Sequence, residues 1–213
     1  MNKLILFVIG ILIGLAIWSM ARDEGVEDTN LKNGDLIFQK SRTSQSDMLE
    51  AVTGSAYTHM GIIFMDGERT MVYEAVGPVQ AIEFEGWIRK GVDKHYVVKR
   101  IKKANKLLTA DKLAIMKQTG RKFFGKNYDE KFQWSDDLIY CSELVWKIYD
   151  AVGIEIGPQK KFSDFDLKDP AVVAAIQARY LNNTFDKNEI VVTPIDMFNA
   201  SNLVEVRREG KLP

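Results

Sequence analysis

Apolar residues at positions 141, 144, 145, 148 and 152 follow the i, i+3, i+4, i+7 spacing of one helix face, and Gly153 supplies a stop. The pattern predicts a buried helix starting at Tyr140-Cys141, with the cysteine on the inner face of its first turn. A second helical period runs from the cap residue Thr109 to about Phe124, with Leu113, Met116, Gly120 and Phe123 along one side and Gly125 at its end. Asp169-Pro170 opens a third helix, because aspartate suits the cap and proline the first helical position. Met48, Leu49 and Val52 mark a short helix in the stretch 41–52, ending at Gly54.

The first half otherwise alternates with a period of two. Asn33-Gly34-Asp35 is a turn leading into the strand Leu36-Ile37-Phe38-Gln39, and the runs 57–65 and 69–76 flank Asp66-Gly67 as a hairpin. Gly77-Pro78 breaks the run, Val79 to Glu85 reads as a third strand and Tyr96 to Ile101 as a fourth, with late strands at Glu189 to Val192 and Leu203 to Arg207. Short turns between successive strands imply an antiparallel meander, hence an α+β fold: a small antiparallel sheet packed against helices.

The N-terminus departs from this pattern. Leu4 to Met20 is uncharged, preceded by Lys3 and followed by the polar Ala21-Arg22-Asp23-Glu24-Gly25, which is the profile of an export signal. Its length falls between a signal core and the roughly 20 residues of a membrane span, so a cleaved peptide and a retained anchor both stay open. The expected organisation is a signal or anchor at 1–21, a polar linker at 22–32 and one domain at 33–213 working outside the cytoplasm, with membrane contact through 1–21 if they are retained.

Composition narrows the function. A chain of 213 residues, 46% hydrophobic, supports one core. Lys plus Arg equals Asp plus Glu at 29 each, so nothing recommends nucleic acid as a partner. One cysteine excludes an internal disulfide, and with two histidines it makes a poor zinc-ligand set, so no metal or cofactor is expected, and a monomer is.

What remains is thiol chemistry. Near a helix N-terminus the free N–H groups and the macrodipole favour the thiolate of Cys141, although a lone cysteine on an apolar face also serves as a small core residue. A nucleophile needs a base, and the base needs a third group to orient it. His95, beside Lys94 in a polar segment, reads as an exposed residue; His59 opens an apolar strand, where an imidazole must find partners. If Asp66-Gly67 is a two-residue turn, paired numbers sum to 133 and His59 lies opposite Glu74. A four-residue turn shifts the sum to 135, opposes His59 to Val76 and leaves Glu74 as a diagonal neighbour on the same face.

The segments Gly34-Asp35-Leu36-Ile37-Phe38, Tyr57-Thr58-His59-Met60-Gly61-Ile62, Tyr73-Glu74-Ala75 and Tyr140-Cys141-Ser142-Glu143-Leu144-Val145 resemble the YiiX-like group of NlpC-type cysteine hydrolases. Gly125-Lys126-Asn127-Tyr128-Asp129 resembles that group's stretch ahead of the cysteine helix, whereas nothing after about Lys160 resembles it. The resemblance implies a circularly permuted papain-like fold, with Cys141 as nucleophile, His59 as base and Glu74 as third member. The oxyanion would be held by the Cys141 backbone N–H and a second donor, for which Tyr140 and Tyr57 are candidates. Ser142 reads as a polar-face residue serving the helix start, and the basic run from Lys99 to Lys106 as a solvated loop. Phe123, Phe124, Tyr128, Phe132 and Trp134 read mainly as core, in a segment placed to wall a groove. The leading expectation is an extracytoplasmic thiol hydrolase cleaving an amide in cell-wall peptide. The alternatives are a lipid or other acyl ester or amide hydrolase or acyltransferase, and a binding module that keeps the fold without the chemistry.

Overall fold

Nearly continuous burial along the central strands of the first half of the chain marks a sheet with both faces covered. The computed structural model describes residues 30–180 and 186–212, so the apolar run from Leu4 to Met20 and most of the expected linker lie outside the described residues. Strand β1 (Leu36–Gln39) leads through helix α1 (Ser44–Thr53) to the hairpin of β2 (His59–Asp66) and β3 (Arg69–Glu74), followed by β4 (Gln80–Glu83). Helix α2 (Phe84–Ile88) carries the chain back to β5 (Tyr96–Ile101). Then come α3 (Ala104–Leu107), α4 (Ala110–Lys122), capped by the Thr109 side chain as expected, and α5 (Cys141–Asp150). The last stretch holds β6 (Lys160–Lys161), α6 (Pro170–Arg179), β7 (Ile190–Val191), α7 (Pro194–Phe198) and β8 (Leu203–Glu209).

The main sheet has the order β4-β3-β2-β1-β5-β8 with every neighbour antiparallel, and β6 pairs with β7 separately. The expected meander holds for β2-β3-β4, but β1 inserts between β2 and β5. An ion pair pins that insertion: Arg100 on β5 reaches the buried Asp35 through Nε to Oδ1 at 2.7 Å and Nη2 to Oδ2 at 2.8 Å. Arg100 is therefore buried, and the run from Lys99 to Lys106 is not simply a solvated loop. The third strand stops at Glu83, two residues earlier than expected, because Phe84, Trp87 and Ile88 bury themselves as the inner side of α2.

Leu36, Phe38, Met60, Ile62 and Phe64 face α5, whose Cys141, Leu144, Val145 and Ile148 are all buried against them. Ile37, Ile63, Val72 and Val98 point the other way, onto Phe84 and Trp87 of α2. A one-residue slip would exchange the two faces, so the register is strongly specified. Truncating a fully buried anchor such as Ile148 to alanine is expected to cost about 2–5 kcal/mol.

The hairpin decides where the site's residues meet. Asp66 pairs with Arg69 and Ile62 with Tyr73, so the turn is Gly67-Glu68 and not Asp66-Gly67. Gly67, at φ +63°, takes the first turn position, where a positive φ is required, and Asp66 Oδ2 accepts from Arg69 Nη2 at 3.0 Å to close it. The register is that of the diagonal arrangement, reached through a two-residue turn displaced by one position.

Candidate active site

Helix α5 starts at Cys141, so the sulfur sits in the first turn, where backbone N–H groups lack helical partners. Glu143 closes that turn: its Oε2 accepts from the Tyr140 N–H at 3.4 Å and its Oε1 lies 2.8 Å from Lys147 Nζ. The Cys141 sulfur lies beside the side chain of His59 and the backbone N–H groups of Met60 and Ser142, all of which favour its thiolate. Met60 is the second residue of β2, so the packing of α5 on that strand brings the thiol to the strand's start.

His59 is buried, with its Nε2 2.8 Å from Glu74 Oε2. That leaves Nδ1 as the nitrogen for the thiol. Trp87 stacks on the ring with centroids 5.7 Å apart. One step beyond the Ile62–Tyr73 pair, the register sets Gly61 against Glu74, so His59 reaches the carboxylate diagonally across a position without a side chain. A Cβ at Gly61 would meet Val72 Cγ1 at 2.5 Å and Tyr73 O at 2.8 Å, so the close approach of β3 requires glycine there. Glu74 is wholly buried, and its other oxygen, Oε1, accepts from Lys90 Nζ at 2.6 Å and Gln80 Nε2 at 3.0 Å.

The electrostatics follow from these contacts. Burial alone would lower the pKa of His59, but its hydrogen bonds to Cys141 and Glu74 and their charges outweigh that and push it up to about 9. Burial would raise Glu74, but His59 and then Lys90 bring it down to about 2. Burial likewise opposes ionisation of Cys141, yet His59 and the two backbone N–H groups leave its pKa below the ordinary thiol value. The arrangement can hold a thiolate beside an imidazolium, which a carboxylate anchors from behind.

Of the residues singled out from the sequence, Cys141, His59 and Glu74 come together. Neither proposed oxyanion tyrosine has its hydroxyl on the sulfur. The Tyr140 hydroxyl accepts from the Val192 N–H at 3.2 Å, and the Tyr57 hydroxyl accepts from Arg208 Nη1 at 2.8 Å while its ring stacks on Phe198. The tyrosine whose hydroxyl feels the Cys141 sulfur most directly is Tyr128, whose pKa is raised first by burial and then by the Cys141 charge. A parallel bridge between Tyr128 and Ile139 sets it beside the start of α5. Its signal in the sequence was membership of the 125–129 stretch, which singles out no one residue. Lys90, on the turn after α2, carried no local signal. His95 was expected to be exposed and is 2% exposed, because β8 covers its strand and Gly210 packs on its backbone; its Nε2 is 3.4 Å from the Tyr57 hydroxyl. Ser142 was placed on a polar face and is also buried, its hydroxyl donating to Val192 O at 2.8 Å.

Cys141, Tyr140 and Ser142 also line a cavity of about 710 Å³, counted with its mouth. Its remaining walls come from α1, α6, Phe132 and the segments 162–167 and 191–194.

Comparison with known proteins agrees with this architecture. The family profile of permuted papain-like amidase enzymes of the YaeF/YiiX type matches residues 30–207. The chain belongs to this family. It is a hydrolase of the cysteine peptidase or amidase kind with a permuted papain-like fold. It is 41% identical over 182 residues to the uncharacterized protein YiiX of Escherichia coli, a match covering 85% of this chain and 88% of that one. A crystal structure of YiiX from Escherichia coli, described as a metalloprotein, superimposes with a TM-score of 0.78 at 40% identity, covering 84% of this chain and 98% of that one. Among the described residues of the present family member, no three His, Cys, Asp or Glu side chains gather as a metal site would need. The described residues offer no ligand set for a resident metal, and no step is assigned to one.

Proposed function

We propose that this chain hydrolyses an amide bond outside the cytoplasm, with Cys141 as nucleophile, His59 as base and then acid, and Glu74 as the group that orients the imidazole. The observation that carries the reading is the buried juxtaposition of Cys141, His59 and Glu74, with His59 Nε2 2.8 Å from Glu74 Oε2, the thiol pKa lowered and the imidazole pKa raised. The thiolate attacks the carbonyl carbon and forms a carbon–sulfur bond. As the carbon–nitrogen bond breaks, imidazolium gives its proton to the leaving amine. Water then attacks the thioester, His59 takes its proton, and the acid leaves as the thiolate re-forms. The oxyanion is held by the Cys141 N–H at the helix start together with the Tyr128 hydroxyl.

Location outside the cytoplasm rests on the export-like run from Leu4 to Met20. A reporter active only outside the cytoplasm, fused after residue 32, tests it; a silent fusion would refute it. Cell-wall peptide is the substrate that this location and the family resemblance suggest, and a lipid or other acyl compound is the second reading, favoured by the walls of the cavity.

The nucleophile assignment is tested with the full-length protein in mild detergent. Iodoacetamide is expected to alkylate Cys141 at pH 6 at least about tenfold faster than free cysteine, whose thiol is almost wholly protonated there. His59→Ala is expected to remove that advantage. A rate equal to that of free cysteine and indifferent to His59→Ala would leave only a module without the chemistry.

A further inference from the structure

We propose that Trp87 is a positioning residue of the reaction: its indole covers one face of the His59 ring and keeps that ring positively charged beside the Cys141 thiolate. This deepens the reading of Cys141, His59 and Glu74 as a triad and rests on it. Hydrogen bonds reach an imidazolium only in its own plane. Glu74 Oε2 takes Nε2 there at 2.8 Å and leaves Nδ1 for the thiol. The faces of the ring remain to be covered, and a buried charge is costly where nothing answers it. Trp87 answers it on one face: the two ring centroids are 5.7 Å apart, the planes lie 24° from parallel, and both residues are buried. An indole carries negative charge density on its face, so a cation within about 6 Å is attracted to it, most strongly where water is excluded.

The setting of Trp87 points the same way. Its Nε1 finds no hydrogen-bond partner among the described residues, although a buried indole N–H ordinarily has one and leaving it unpaired is costly. Leucine or phenylalanine would fill an apolar site without that cost, yet the space holds the side chain whose ring face attracts a cation best. The other groups facing the imidazole are Cys141 from α5, Glu74 from β3 and the uncharged Gln39, paired with His59 across β1; Lys90 stands behind the carboxylate and Tyr128 behind the sulfur. Cys141 and Glu74 raise the imidazole pKa through hydrogen bonds and charge, and Trp87 adds to them with neither a charge nor a proton of its own. The consequence is selective. The thiol ionises with the ring charged before and after, so the indole leaves that step alone, whereas it opposes loss of the ring proton. In the reaction it favours the step in which His59 takes a proton from water as the thioester opens.

The test follows the ring directly. Full-length protein in mild detergent, labelled with carbon-13 at histidine Cε1, gives one ring signal for each of its two histidines, and His59→Ala identifies the one that belongs to His59. Trp87→Leu is expected to lower the midpoint of that signal by about one pH unit, a tenfold loss of proton affinity, with Trp87→Phe intermediate. The alkaline limb of turnover should move with it, whereas the acid limb of iodoacetamide alkylation, which reports the thiol, should stay in place. Looser packing alone would move both limbs or neither. A second measurement leaves the fold intact. Replacing the tryptophans biosynthetically with mono- and difluorinated analogues, which draw charge from the ring face at almost unchanged size, should lower the His59 midpoint stepwise by roughly 0.2 to 0.3 unit per fluorine. An unshifted midpoint, with alkylation at pH 6 still faster than that of free cysteine, would overturn the role of Trp87 alone, as would a shift on Trp87→Leu that fluorination does not reproduce. Alkylation no faster than that of free cysteine would overturn the nucleophile reading beneath it.

Discussion

Two environments meet at the Cys141 sulfur. On one side lies a polar cluster centred on Glu74, which takes His59 on one oxygen and both Gln80 and Lys90 on the other. On the other side lies a cavity whose polar groups are turned into its own walls. Two members of the polar side, His59 and Glu74, stand on neighbouring strands whose register two buried faces enforce. The apolar side is assembled from separate pieces, α1, α6, Phe132 and the segments 162–167 and 191–194. Reaction chemistry demands exact position, whereas an apolar wall demands mainly the exclusion of water, and the two sides differ accordingly.

The strongest way to break this contrast is on the polar side. His59→Ala should lower kcat/KM toward any acyl or peptide amide by roughly 10³-fold, the size expected when a positioned base is lost. The thermal midpoint should fall as well, because the buried imidazole packs on Trp87 and its charge adds stability, while Glu74 keeps Lys90 and Gln80 as partners. A loss below tenfold would mean that the imidazole is only structural.

At the boundary of the two environments stands Tyr128. Its hydroxyl contacts the sulfur, and burial followed by the neighbouring Cys141 charge pushes its pKa far up, so it stays a donor across the working range. Tyr128→Phe is expected to lower kcat by about 100-fold with KM nearly unchanged, as for removal of one oxyanion donor. Tyr57→Phe and Tyr140→Phe should each stay within about threefold, since those hydroxyls serve Arg208 and Val192. Equal effects of all three would remove the special place given to Tyr128.

The same contrast explains what could be read from the sequence. The helix period around Cys141 announces itself because one face is buried over many residues, and β1 and β2 because they are continuous apolar runs bounded by turn residues; with them the three polar members were legible. Pairing was legible only up to a choice of register, because Asp66-Gly67 and Gly67-Glu68 are both plausible turns and the choice shifts every partner by two. Tyr128, Lys90 and the burial of His95 depend on contacts between segments far apart in the chain, which leave no local period. The cavity wall was least legible of all. A stretch such as Phe162-Ser163-Asp164-Phe165-Asp166-Leu167 contributes isolated apolar residues from a loop and a single 3₁₀ turn, and that has no regular spacing to detect.

Acidity sharpens the picture of the polar side. The pKa of His59 is raised, so its positive charge, and the stability it adds, are fully present below its ordinary value of 6.5 and lost as pH rises through about 9. The pKa of Glu74 is lowered, so its contribution holds above its ordinary value of 4.5 and is lost as pH falls toward about 2. Alkylation and turnover should therefore span neutral pH, with turnover falling on the alkaline side near pH 9. Glu74→Gln keeps a hydrogen-bonding group but removes the anion that helps hold the imidazole charged. It should move the alkaline limb to lower pH and reduce kcat/KM by roughly tenfold, within the range seen for groups that orient a functional ligand. An unmoved limb would show that Glu74 acts through shape alone.

The smallest effect is expected at the outer edge of the polar cluster, at Lys90. Its side chain is 38% exposed, so water and salt already share the work of balancing Glu74. An ion pair of this kind is worth about 0.2–1 kcal/mol, so Lys90→Ala should lower kcat/KM by no more than about fivefold. Raising the salt concentration in the unaltered protein should reproduce part of that loss and add nothing further to the variant, because screening and substitution weaken the same contact. A large loss on Lys90→Ala that salt does not imitate would mean that the lysine holds Glu74 in place by geometry, extending the demand for exact position from the buried strands out to the surface.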